Sequence, residues 1–168
     1  MAKKKNVTNA MRLLNAAKIE YETIEYHADE VGDNFGMAIA ELTGMPPEQS
    51  FKTLVAKGDK TGVIVACAPV NDEVDLKKLA KASGNKKVEM IHVKELLALT
   101  GYIRGGVSPI GMKKKYPTYV NSSAEKFDSV VVSAGVCGAS VRLKPGDLQK
   151  ITDCEFADIV KGDNDEHI

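Results

Sequence analysis

The stretch FKTLVAKGDKTGVIVACA, residues 51–68, decides the fold of this chain. Residues 51–57 and 62–68 are rich in apolar and β-branched side chains, and the four residues between them, Gly58 to Thr61, have the composition of a turn. The stretch therefore predicts two neighbouring strands joined by a tight connection. The second strand is apolar on both faces, which predicts a central position in a sheet.

Helical and extended patterns alternate on both sides of this hairpin. We expect Asn6 to cap the first helix, Asp75 to cap a later one and Gly84 to end it. The patterns predict helices over 6–18, 37–42, 76–83, 93–100 and from Pro145, and strands over 21–26, 88–91, 118–120, 130–133 and 139–143. The run of strands after residue 117 favours a mixed sheet over a doubly wound parallel one. We therefore expect an α/β (α+β) fold, in which a mixed, mostly antiparallel sheet or a partly closed barrel is flanked by helices.

Length and composition predict one domain. The chain has 168 residues, of which 43% are apolar, enough for one ordinary globular core and too few for two. Helices and strands interleave without a repeat, a linker or a low-complexity block. We expect a single domain over 1–168, with an ordered core over about 6–160 and a polar tail over 161–168.

Charge and cysteine content narrow the classes of function. Lys and Arg total 23, as do Asp and Glu, so a protein that coats DNA or another polyanion is not expected. The cysteines at 67, 137 and 154 have no metal-type spacing, which suits a reducing compartment. No apolar stretch approaches the roughly 20 residues that cross a bilayer. We expect a soluble cytoplasmic protein that binds neither membranes nor DNA.

Lys52 is the first residue that could carry chemistry. In an extended strand it shares a face with Leu54 and Ala56. A cation on an apolar face is costly unless it meets an anion or lines a cavity. One interpretation is an edge-strand lysine that extends to water. The other is a fixed positive charge that faces a substrate carbonyl, ribose or phosphate, and the pattern alone leaves both open.

The second candidate is the loop RGGVSPIG, residues 104–111. Its glycines, serine and proline make a stiff loop with few side chains, so that backbone N–H groups can approach a ligand closely. It matches neither the P-loop nor the dinucleotide-binding motif. A similar turn, SAGVCG, follows the strand over 130–133. Each could equally be a structural turn.

Other chemistries find little support in the sequence. The histidines at 27, 92 and 167 fall in no metal-binding motif, no GxSxG motif is present, and no cysteine has a base near it in sequence. We therefore expect no metal, no cofactor and no protein nucleophile. Lysines cluster at 77, 78 and 81, at 86–87 and at 113–115. Each cluster is either a solvated face or a site of modest, salt-sensitive RNA contact.

Taken together, these motifs resemble the YbaK/EbsC family of aminoacyl-tRNA deacylases. The resemblance runs in order from about Val7 to Val160, and its most specific elements are FKTL and GGVSPIG. The matching stretches are 33–36, 50–54, 86–90, 101–102, 105–111, 120–122 and 132–135.

The resemblance implies a function and a site. It implies the fold of the prolyl-tRNA synthetase-associated editing domain, removal of cysteine from Cys-tRNA(Pro), and Lys52 as the essential catalytic residue. The 3' end of the aminoacyl-tRNA would enter a pocket whose residues are Tyr26, Phe35, Thr53, Gly105, Gly106, Ser108, Ser133 and Gly135. In the implied mechanism the cysteinyl thiol attacks its own ester carbonyl and leaves as a cyclic thiolactone. Prolyl-tRNA synthetase is the implied partner.

One departure and two alternatives accompany this expectation. Ala134 stands where the family often has glycine, and its methyl group is expected to narrow the pocket. The first alternative is a deacylase for Ala-tRNA(Pro) or another small aminoacyl-tRNA that uses water. The second is a non-catalytic module that binds tRNA or a synthetase, against which the intact FKT motif and glycine loop argue.

Overall fold

The computed structural model describes residues 7–27 and 35–161. Within them helices and strands alternate largely as the sequence predicts. The helices are α1 (Asn9–Ala16), α2 (Phe35–Thr43), α3 (Leu76–Ser83), α4 (Leu96–Thr100) and α5 (Pro145–Thr152). The strands are β1 (Glu22–Glu25), β2 (Phe51–Gly58), β3 (Gly62–Pro69), β4 (Val88–Met90), β5 (Thr118–Asn121), β6 (Val130–Val136), β7 (Ala139–Leu143) and β8 (Glu155–Ala157).

The predicted hairpin forms the centre of a five-stranded mixed sheet in the order β4-β2-β3-β5-β8. β2 pairs antiparallel with β3 and β4, whereas β3 pairs parallel with β5, and β5 with β8. β3 is central, as its apolar faces predict. Ile64 and Ala66 pack towards α3 on one side, and Val65 and Cys67 enter the main core on the other.

A second, antiparallel sheet has the order β1-β7-β6. A single parallel bridge, Ser50 to Val131, joins it to the start of β2. The expected mixed architecture is confirmed, and the described strands do not close into a barrel. The main core lies between the two sheets and α1, and Leu14, Val120, Val132 and Val141 are 0–1% exposed there.

The start of α1 differs from the prediction, which was wrong about its cap. The helix begins at Asn9, and the cap is Thr8 instead of Asn6, which lies outside the described residues. The Thr8 hydroxyl accepts the Met11 N–H at 3.2 Å and donates to the Ala134 carbonyl of β6 at 2.5 Å. A contact with a distant strand thus selects the cap, and local sequence does not reveal it.

Other elements follow the sequence more closely. Asp75 caps α3 by accepting the Lys77 and Lys78 N–H groups, and Gly84 ends it in the left-handed conformation. The helix predicted over 93–100 divides into the 3₁₀ turn Val93–Glu95 and α4. The three-residue strand β8 was missed; it forms by pairing with β5, which is distant in sequence. In the described part of the chain, no helix is long and apolar enough to span a membrane.

Candidate active site

A cavity of about 280 Å³ has residues of both sheets in its wall. β2 contributes one side, and β6 and β7 contribute the opposite side. Loop residues and the segment that follows β4 complete it. The lining residues are Ile39, Ser50 to Val55, Val70, Met90, Ile91, Val93, Leu96, Arg104, Gly105, Val107, Val131 to Ser133 and Ser140.

The cavity exists because the outer edge of β2 is only partly paired. β4 pairs with Ala56 to Gly58 alone. Among the described residues, the rest of that edge has only the bridge from Ser50 to Val131 and one bond, Ile91 N–H to the Val55 carbonyl at 3.3 Å. The segment between, Lys52 to Leu54, therefore faces open space instead of a strand.

Strand alternation shows which backbone groups face that space. The Val65 N–H donates to the Pro117 carbonyl, away from β2, so the opposed pair Val55 and Val65 is not mutually hydrogen-bonded. Bonded and non-bonded pairs alternate in an antiparallel ladder. Thr53, opposite Cys67, is two residues before Val55 and is again a non-bonded position. Its N–H and carbonyl therefore point away from β3, towards the open edge.

Lys52 lies in the cavity wall, on the strand face it shares with Leu54. It is half-buried. Burial lowers the pKa of Lys52 from its ordinary value, and the carboxylates of Glu73 and Asp72 partly oppose this shift. Ala56, the third residue of that face, packs in the core beside α3. The cation therefore lies in the cavity wall, on a strand face whose other residues, Leu54 and Ala56, are apolar.

Thr53, Gly105 and Ser133 line the same cavity as Lys52, although they come from three separate segments. The Thr53 hydroxyl lies 3.8 Å from the Cys67 sulfur. Burial raises the pKa of Cys67 to about 12, so its thiol stays protonated and unreactive at neutral pH. The Ser133 hydroxyl accepts the Gly135 N–H at 3.1 Å, which shapes the turn after β6.

Two further predicted residues, Gly106 and Gly135, are not among the residues that line the cavity. A Cβ on Gly106 would lie 2.9 Å from backbone atoms of Val136 and Cys137, and a Cβ on Gly135, whose φ is +99°, would lie 2.7 Å from the Tyr102 ring. The Gly106 N–H already donates to the Ile103 carbonyl. These glycines let the loop and the turn approach each other closely.

Ser108 also holds the loop. It is fully buried, and its hydroxyl accepts the Ile110 N–H at 3.2 Å. The Tyr102 hydroxyl donates to the Ile110 carbonyl at 2.6 Å, which fastens the same segment. These hydrogen bonds hold the loop in one conformation. Of its two predicted site glycines, Gly105 lines the cavity and Gly106 does not.

Tyr26 and Phe35 are the remaining predicted residues. Tyr26 is half-buried next to Ser140, which does line the cavity, and burial raises the pKa of its hydroxyl. Among the described residues that buried hydroxyl has no hydrogen-bond partner of good geometry, although Gly138 and Ser140 lie close to it. Phe35 is the first residue of α2, and its side chain lies outside the described part of the chain.

The structure corrects one expectation and adds residues that sequence reasoning missed. Ala134 is fully buried in the main core, so its methyl group does not narrow the cavity. An apolar wall of Met90, Ile91, Val93 and Leu96 was not anticipated. In the sequence, this wall was indicated only by the number of large apolar side chains over 90–97. Ser50 was also missed; it is 4% exposed and its hydroxyl has no partner among the described residues.

The chemical character of the wall follows from these residues. It presents two cations, Lys52 and Arg104, several hydroxyl groups and an apolar remainder. No carboxylate, histidine or cysteine is among its described lining residues. In residues 7–27 and 35–161, no three side chains that could ligate a metal converge. The cavity can therefore bind a small, partly apolar group and stabilise negative charge on it.

Comparison of the sequence with known proteins agrees with this geometry. The sequence model of the aminoacyl-tRNA editing domain family matches residues 37–151. A protein of Enterococcus faecalis (strain ATCC 700802 / V583), named as a candidate Cys-tRNA(Pro)/Cys-tRNA(Cys) deacylase, EbsC, is 50% identical over 162 residues. The match covers 95% of this chain and 98% of that protein.

Solved structures share the fold. A candidate trans-editing enzyme for prolyl-tRNA synthetase has a TM-score of 0.80 at 24% identity, over 94% of this chain and 100% of its own. Hypothetical protein APE2540 has a TM-score of 0.81 at 20% identity, over 92% and 100%. The family match spans more than half of the chain and includes β2, the glycine loop and β6. The chain therefore belongs to the aminoacyl-tRNA editing domain family, in the YbaK/EbsC group that its motifs resemble.

Proposed function

We propose that the protein is an aminoacyl-tRNA deacylase that removes mischarged cysteine from Cys-tRNA(Pro). The observation that carries the proposal is Lys52 in the wall of a small cavity, beside the unpaired edge of β2. A volume of about 280 Å³ lies just below the usual range for ligand pockets, roughly 300–1,000 Å³. Such a cavity suits one small aminoacyl group and little more.

The wall suits a reaction in which the substrate supplies the nucleophile. Its described residues include no cysteine and no histidine that could serve as nucleophile and base. In the proposed reaction the cysteinyl sulfur bonds to the ester carbonyl carbon, and the bond from that carbon to the ribose oxygen breaks. The thiol proton is lost and the ribose oxygen takes up a proton. The products are a cyclic thiolactone and tRNA with a free terminal hydroxyl.

Lys52 and the Thr53 backbone would stabilise the charge that develops on the carbonyl oxygen. The Lys52 ammonium supplies positive charge in a half-buried position, where electrostatic interactions are stronger than in water. The outward N–H of Thr53 supplies a fixed donor on the same strand edge. The N–H groups of Gly106 and Gly135 donate within their own loops, so they are not available for this role.

Selectivity for the tRNA would come from a partner. A cavity of this size can enclose the aminoacyl group but not the body of a tRNA. We therefore infer that the isolated chain cleaves Cys-tRNA(Pro) and Cys-tRNA(Cys) at comparable rates. Association with prolyl-tRNA synthetase, while the mischarged tRNA is still bound there, would shift the ratio towards Cys-tRNA(Pro). Strong discrimination by the chain alone would contradict this part of the proposal.

A deacylation assay with a matched pair of substrates tests the reaction. Cys-tRNA(Pro) and Ala-tRNA(Pro) differ at the thiol, which the proposed reaction needs. We expect rapid release of cysteine and little release of alanine, with a thiolactone trapped by an added amine. Equal rates for the two substrates would favour the alternative in which water attacks the ester. Binding of tRNA without release of either amino acid would favour the non-catalytic alternative.

A further inference from the structure

Exposed apolar side chains border the mouth of the cavity. Met90 and Val93 line the cavity and are also 44% and 56% exposed, so they form its rim. Leu97 in α4 is 56% exposed and directly follows Leu96, which lines the cavity. We refer to Met90, Val93 and Leu97, the exposed apolar side chains of this segment, as the ledge.

Two exposed lysines flank the far end of α4. The Lys113 N–H donates to the Thr100 carbonyl at 3.1 Å, and the Tyr116 hydroxyl donates to the Leu99 carbonyl at 2.7 Å. The segment between them is therefore fastened to α4, and it holds Lys113 and Lys114 in solvent beside the helix. Lys115 instead pairs with Asp153 at 2.5 Å.

We propose that the 3'-terminal nucleotides of the tRNA lie across α4, with the terminal base on the ledge of Met90, Val93 and Leu97 and the preceding phosphates near Lys113 and Lys114. This inference rests on the proposed function. The ester joins the aminoacyl group to the terminal ribose, so a filled cavity places the terminal nucleoside at its mouth. Packing of a base face on apolar side chains removes apolar surface from water whatever the base, and lysines attract phosphates through charge.

The lysine cluster of α3 suits this role less well. Lys78 is held by Asp158 at 3.2 Å and by the Val160 carbonyl at 2.8 Å. Its neighbours Lys77 and Lys81 are on α3, which contributes no residue to the cavity. Lys113 and Lys114 are beside the helix whose Leu96 lines the cavity. The described surface thus includes the cavity, the ledge and the positive charge beside α4.

Binding of uncharged tRNA tests this surface without requiring turnover. We expect the double variant Lys113→Glu/Lys114→Glu to bind tRNA at least about tenfold more weakly. Its salt dependence should be shallower, by up to about 0.7 in log–log slope for each phosphate of the single-stranded end that the protein no longer neutralises. Leu97→Ser should weaken binding about fivefold, because it removes part of the apolar surface that the terminal base would bury. Lys77→Glu/Lys81→Glu carries the same change in charge and should bind as the parent does.

The outcomes separate this inference from the proposed function. If the parent binds tRNA and only the α4-side variants lose affinity, the surface is supported whether or not cysteine is released. Equal losses in the α3 and α4 double variants would show that net charge alone matters, which overturns the inference. The inference is also overturned if Leu97→Ser binds tRNA as tightly as the parent does but binds prolyl-tRNA synthetase more weakly. The ledge would then be an interface for the synthetase. Thermal midpoints should stay near the parental value, since the changed side chains are exposed.

Discussion

The two halves of strand β2 have the same neighbour on one side and different neighbours on the other. From Ala56 to Gly58 the strand is paired with β3 and β4. The half from Lys52 to Leu54 is paired with β3 alone and borders the cavity. The comparison shows how one short strand can serve two purposes. Where its edge is paired, its residues hold the fold, and where the edge is open, its backbone and side chains are available to a ligand.

The paired half is fastened by a network around Asn85. The Asn85 amide oxygen accepts the Lys60 and Thr61 N–H groups at 2.8 and 3.0 Å, and its amide nitrogen donates to the Thr61 and Ser83 hydroxyls. A Cβ on Gly58 would lie 2.1 Å from that nitrogen, so glycine lets the amide approach the strand. This network joins the hairpin turn to the end of α3.

The largest expected effect comes from comparing the two lysines of β2. Lys52→Ala should lower kcat/KM for deacylation by at least about 10²–10³-fold, the usual loss when one oxyanion donor is removed. The thermal midpoint should change little, because removing a half-buried cation also removes its desolvation cost. Lys57→Ala, an exposed change in the paired half, is the matched control and should keep parental activity. Retained activity in Lys52→Ala would refute the assigned role.

The second prediction concerns the network of the paired half. Asn85→Ala removes four hydrogen bonds and leaves two backbone N–H groups without their acceptor. We expect a loss of about 2–4 kcal/mol in the free energy of unfolding, measured by denaturant titration, and near-parental activity in the molecules that remain folded. Asn85→Asp keeps the acceptor oxygen and should lose less. If Asn85→Ala is stable but inactive, the paired half of β2 must influence the half that borders the cavity.

The third prediction separates loop packing from ligand contact. Gly106→Ala places a methyl group against the backbone of Val136 and Cys137. It should cost about 1–3 kcal/mol in stability and lower activity by displacing Gly105. Gly106→Val should lower both the stability and the activity further than Gly106→Ala does. Gly146→Ala, at a position in α5 with open space around it, should leave activity unchanged and raise stability slightly. Loss of activity without any loss of stability would instead indicate direct contact with the ligand.

The smallest expected effect is a pH dependence of stability at Cys67, the cross-strand neighbour of Thr53. Because the folded protein raises the pKa of Cys67 to about 12 from 9.0, the folded state holds this proton more tightly than the unfolded state does. The contribution of Cys67 to stability is therefore fully present below pH 9 and falls between pH 9 and about 12. Cys67→Ala should reduce the slope of stability against pH in that window. An unchanged slope would contradict the burial of this thiol.

Much of the fold could be predicted because its signals are local. The apolar hairpin over 51–68 predicted β2 and β3, and the Asp75 and Gly84 signals predicted the ends of α3. The cap of α1 and strand β8 could not be predicted, because each depends on pairing with a residue distant in sequence, Ala134 for the cap and β5 for the strand.

The candidate site was predictable only in part. Lys52 stood out because a cation interrupts an apolar face, and Gly105 and Ser133 followed from the resemblance. The open edge of β2 could not be foreseen, because it depends on β4 pairing with three residues and no more. Gly106 and Gly135 looked like ligand-binding residues in the sequence, but a Cβ at either position would meet other parts of the protein.

The most direct test of the open edge as the reaction site is kcat/KM for Cys-tRNA(Pro) in Thr53→Pro relative to Thr53→Ala. Both variants lose the hydroxyl, but only proline removes the outward N–H, and proline is tolerated where a strand N–H has no ladder partner. We predict similar thermal midpoints for the two variants and a kcat/KM for the proline variant lower by about 10²-fold. Equal kcat/KM values in two well-folded variants would contradict the account.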